Sequence, residues 1–110
     1  MNYLWIIEGA APGAVPAALG EGGKKAGDIK VLAVDAQAST LKAIEDGWIT
    51  TTLNQCWFDT SANIAKLIID IKKNGAKPES FYAVDVDPVS KANLPYKGCS
   101  AETANKPFAK

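Results

Sequence analysis

The chain has 110 residues and a mass of 11.6 kDa, room for one small domain around a single core. Hydrophobic residues make up 47% and charged residues 22%, which argues against disorder over most of the length. Twelve cations, every one a lysine, balance twelve acidic residues, so the chain lacks the basic face and arginine forks of a nucleic-acid binder.

Tyr3 to Ile7 is apolar and rich in aromatic and β-branched residues, which predicts a strand broken by Gly9-Ala10-Ala11-Pro12-Gly13. Ala14 to Glu21 is a weak helix candidate, because Pro16 is tolerated only in a first turn; Gly22-Gly23 ends it. Ile29 to Val34 is a second strand, apolar on both faces like the strands of a covered parallel sheet. Ser39 is placed to cap a helix over Thr40 to Asp46, with Leu41 and Ile44 facing inward and Gly47 just past its end. Trp48 to Leu53, with its three threonines, predicts a third strand.

The best helix follows. Asp59, Thr60 or Ser61 can cap it, Ile64, Leu67, Ile68 and Ile71 form one apolar stripe, and Gly75 ends it. Phe81 to Val86 predicts a fourth strand, stopped by Pro88. Strands alternating with helices imply an α/β fold: a three-layer sandwich with a short parallel sheet and flanking helices over residues 1–94. Residues 95–110 read as an irregular, partly mobile tail. The longest apolar runs fall far short of the roughly 20 residues that span a bilayer. The first segment has no basic region and no signal-peptide pattern, so the chain is expected to be cytosolic or a piece of something longer.

In open parallel sheets ligands bind beyond the carboxyl ends of the strands. Glu8 to Ala11, Asp35 to Gln37 and Asn54 to Trp57 fall there. An aspartate closing an apolar strand needs donors for its carboxylate, whether from local backbone or from a ligand. Gln55 is either an ordinary polar strand end or a second ligand contact.

Asp-Ile-Lys-Val-Leu-Ala-Val-Asp at 28–35, followed by Lys-Ala-Ile-Glu-Asp-Gly-Trp-Ile-Thr-Thr-Thr-Leu-Asn-Gln at 42–55, resembles the C-terminal part of type I periplasmic sugar-binding proteins. These are the ribose-binding-like receptors of ABC transporters. In that family one strand ends in aspartate, a helix ends at Asp-Gly and the next strand ends in glutamine; Asp35 and Gln55 lie 20 residues apart in the same way. Val86 to Asn93 resembles the family's closing strand, and the likeness covers about residues 3–94.

The resemblance implies a non-enzymatic monosaccharide-binding module. Asp35 would accept bonds from two hydroxyls, and Gln55 would bond another at the hinge. Trp57 and Trp5 would offer faces for stacking, although surface cover and core are their plainer roles. Ala10 falls where the family places an asparagine that bonds the sugar, and alanine cannot replace that bond. The family's first lobe is absent, so the chain supplies part of one wall of a cleft that closes by hinge motion. No cofactor and no metal are implied. The implied partners are a sugar, a missing N-terminal lobe or further copies of the chain, and, by family, a membrane permease. The implied location is periplasmic.

Other readings stay open. The half-lobe can be an oligomerising interaction protein that has lost its solute, or an effector fragment of a lactose-repressor-like regulator. A receiver domain fits less well, because the acidic pair and strand-end lysine it needs are not evident. With no histidine, the histidine-ligated metal sites and the Ser-His-Asp triad are excluded. Gly20 to Lys25 lacks a phosphate-loop pattern, and Asp85 with Asp87 reads as a solvated strand edge before it reads as a metal pair. Cys56 and Cys99 can form at most one disulfide, which needs an oxidising compartment.

Overall fold

A computed structural model describes residues 2–79 and 86–99. Its elements are β1 (Tyr3–Trp5), a 3₁₀ turn (Ala11–Ala14), α1 (Val15–Glu21), β2 (Lys30–Val34), α2 (Ala38–Glu45), β3 (Thr51–Asn54), α3 (Trp57–Asn74), β4 (Asp87–Ser90) and a second 3₁₀ turn (Lys91–Asn93). This is the small α/β fold that the alternation of patterns predicts. The chain divides into two compact units, Met1–Asn54 with Pro88–Lys97, and Gln55–Asp87 with Gly98–Lys110.

The strands form one four-stranded sheet in the order β1-β2-β3-β4, which lies in the first unit apart from Asp87, the first residue of β4. The ladders β1–β2 and β2–β3 are parallel, with Leu4 opposite Val31 and Ala33 opposite Thr52. Alternation along β2 decides what is buried: Val31 and Ala33 are sealed, while Leu32 and Val34 are only half-covered. The core joins Val31 and Ala33 to Val15 of α1, Ala43 and Ile44 of α2, Ile29, Ile49 and Val89. Burial of each large aliphatic side chain contributes about 1.5–3 kcal/mol. On the other face Tyr3, Trp5 and Leu32 line a shallow apolar depression of about 400 Å³ with Lys30 and Thr51 at its edge. The expectation that β2 is covered on both faces therefore holds on one face of this unit.

Several boundaries differ from expectation for local reasons. Pro16 does sit in the first turn of α1, where its missing N–H costs nothing. Helix α2 starts two residues earlier than Ser39 suggests: Gln37 occupies the cap position, and Ser39 lies inside the helix. Gly47, at φ 85°, ends α2 as expected. Its amide bonds Ile44 and the amide of Trp48 bonds Ala43, a paired capping pattern at the helix end. That pattern also draws in the amide of Ile49, so β3 begins at Thr51 and not at Trp48.

Strand β4 begins at Asp87 and contains Pro88, which is tolerated because β4 is the last strand of the sheet. The expected strand over 81–85 lies outside the described residues, and Val86 is not in a strand. The chain after Leu94 is not simply a loose tail. Leu94 and Tyr96 pack on the core, and Cys99 is bonded to Cys56.

In the second unit, α3 starts at Trp57, ahead of the Asp59, Thr60 and Ser61 caps expected for it. Cys56 turns the chain into it with a left-handed backbone, φ 53°, and Asp59 becomes a favourable first-turn acid. Gly75 ends the helix at φ 67°. No residue of this 18-residue helix is buried. Among the described residues, no helix is long and apolar enough to cross a membrane.

Candidate functional site at the strand ends

Parallel pairing brings the carboxyl ends of β1, β2 and β3 to one end of the sheet. Asp35 follows β2 directly with φ 67°, a left-handed conformation that is uncommon outside glycine. Its amide donates to the carbonyl of Leu53 at 2.9 Å, and its own carbonyl accepts the Thr52 hydroxyl at 2.8 Å. Thr52 is fully buried, so the turn at Asp35 is anchored from beneath. A β-carbon added at Gly9 would overlap the Asp35 carboxylate, so Gly9 leaves the room that this side chain occupies.

The loop after β1 is ordered by Glu8. Its carboxylate accepts the amides of Ala10 and Ala11 at 2.9 and 2.8 Å. These two backbone bonds, Ala10 first, hold the fully exposed Glu8 carboxyl below its usual range. Ala10 thus enters through its amide, which Glu8 occupies, and contributes no side-chain bond. At the end of β3 the Asn54 carboxamide donates to the Tyr96 hydroxyl at 2.8 Å. The register Val34–Leu53 puts Asp35 and Asn54 on neighbouring strand ends.

One carboxylate, one carboxamide and one phenol therefore share one rim with the Glu8–Ala11 loop. Such a mixed set of acceptors and donors suits a neutral polyhydroxylated ligand. Sequence reasoning named Asp35, placed Gly9 and Asn54 in strand-end segments without giving them a role, and missed Tyr96. Asn54 was legible as a strand end, but Tyr96, 42 positions away, was not.

Gln55 and Trp57 belong to the second unit. Gln55 is half-buried directly after β3, and Trp57 is exposed in the first turn of α3. Trp5 is not a core residue: it is 67% exposed on β1 and lines the apolar depression, which does not include Asp35. A second, open groove of about 630 Å³ runs along α2 at Leu41, Lys42 and Glu45 and is bordered by Leu94, Pro95 and Tyr96. The Lys42 ammonium there bonds Asp46 at 2.7 Å and Glu45 at 3.3 Å, and those bonds, Asp46 foremost, raise its pKa. This exposed ion cluster is a helix-surface feature. Neither a search against protein-family models nor one against curated proteins finds a match for this chain.

Proposed function

We propose that the chain is a non-enzymatic carbohydrate-binding module whose ligand sits at the carboxyl ends of β1–β3. It would be part of a solute receptor of the ABC-transporter type, as the sequence resemblance implies. The observation that carries this reading is Asp35. A left-handed aspartate costs stability, and such strain tends to persist where a side chain is needed in one place. Gly9, Thr52 and Leu53 all serve to hold it there. The Cys56–Cys99 disulfide supports an oxidising, periplasmic location.

With Ala10 in place of a side-chain donor, monosaccharide affinity of this chain should fall in the millimolar range, about −4 kcal/mol. Calorimetric titration with ribose, xylose, galactose and glucose tests this. Weak binding lost in Asp35→Ala supports it, and micromolar binding unchanged in both Asp35→Ala and Gln55→Ala overturns it.

A second reading, an oligomerising module, is favoured by apolar surface. Tyr3 and Trp5 on the edge strand β1 are 76% and 67% exposed, and Ile7 just beyond it is 75% exposed. A second copy is the occupant proposed, because the zero net charge opposes no self-association and an edge strand can pair with its own copy. Sedimentation at micromolar concentration should show a dimer; a folded 11.6 kDa monomer would rule it out.

A further inference from the structure

We propose that Cys56, Cys99 and Asp87 form a redox-gated binding site for a thiophilic divalent cation such as zinc. The three belong to one unit, and their two sulfurs and a carboxylate oxygen lie within 4.8 Å of one another. Zinc bound at about 2.3 Å to sulfur and about 2.0–2.2 Å to a carboxylate spaces its ligands by about 3.5–3.8 Å. The Cα atoms of the two cysteines are 5.8 Å apart, so small side-chain rotations bring all three ligands to those spacings. The chain has no histidine, and these are its two cysteines, so no other thiolate or imidazole competes.

In the oxidised chain the sulfurs are bonded to each other and offer no thiolate. A dithiol reductant opens the site in balanced steps. Cys56 is buried and Cys99 half-buried, so the reductant thiolate attacks the Cys99 sulfur. Cys56 leaves as a thiolate at the N-cap of the 18-residue α3, where the helix dipole favours negative charge. The reductant's second thiol then displaces Cys99, leaving the reductant as its disulfide and the protein with two thiols. The cation binds both sulfurs and the Asp87 carboxylate, and two protons are released. A fourth position stays open to water. The metal would thus replace the disulfide as the link between the start of α3 and residue 99 when the chain meets reducing conditions.

The test uses the full chain reduced with a phosphine, which leaves no competing thiol, and titrated with cobalt(II) and then zinc. One cobalt per chain should bind with thiolate charge-transfer and tetrahedral absorption bands that zinc abolishes. Oxidised chain and the Cys56→Ser/Cys99→Ser double variant should show neither. Asp87→Asn should bind about tenfold or more weakly, the loss that even an outer-shell partner commonly causes. Should reduction unfold the chain, zinc must restore its circular dichroism. Absence of the bands, binding unaffected by Asp87→Asn, or no refolding in excess zinc overturns the site.

Discussion

Two buried threonines show how position decides what a hydroxyl is worth. Thr52 and Thr40 are both fully buried, but Thr52 donates to Asp35 while the Thr40 hydroxyl meets no partner. Thr52→Val should therefore lower stability by about 1–2 kcal/mol, and Thr40→Val should raise it by about 1 kcal/mol. Urea unfolding of the two variants reads both signs in one experiment. Asp35 adds a third case. Asp35→Gly relieves the left-handed backbone and should remove sugar binding while the chain stays folded.

Glu8 gives the pH dependence. Its carboxyl is held below the ordinary value by the Ala10 and Ala11 amides, so the loop's order is present above the unfolded pKa and is lost as pH falls through the lower folded one. The amide resonances of Ala10 and Ala11 should titrate together in acid, below the usual carboxylate range, and stay flat in Glu8→Ala. Full exposure means that the effect on global stability is small.

At the scale of elements, signals that live within one turn were legible and signals that depend on distant partners were not. Gly47, Gly75 and Pro16 each announced a helix boundary by backbone preference alone. The start of β3 was misplaced because the capping bonds of α2 capture Trp48 and Ile49, which share the β propensity of the threonines after them. The caps of α3 were misplaced because Cys56 turns the chain with backbone geometry that no residue pattern marks. The stripe of α3 was legible as amphipathic, and the structure shows what pattern alone could not: Ile64 and Ile68 are 46% and 53% exposed. Ile64→Lys with Ile68→Lys should leave the monomer's unfolding free energy within about 0.5 kcal/mol, as surface changes do. If a second copy covers this stripe, the same pair should abolish sedimentation as a dimer.

Across the whole molecule, the α/β class was readable because alternation of strand and helix patterns leaves few topologies. The division into two units was not, since Pro88–Lys97 join the first unit from far along the chain. The candidate site was legible at Asp35, where an acidic residue closes an apolar run, and in the strand-end segments that hold Gly9 and Asn54; Thr52 and Tyr96 are residue types that fit many roles. The most direct test of sugar binding at this rim is amide chemical-shift mapping during titration with ribose. The account predicts shifts at Gly9, Asp35 and Asn54 that saturate in the millimolar range and vanish in Asp35→Ala. Shifts confined to the depression at Tyr3, Trp5 and Leu32, or none at all, would contradict it.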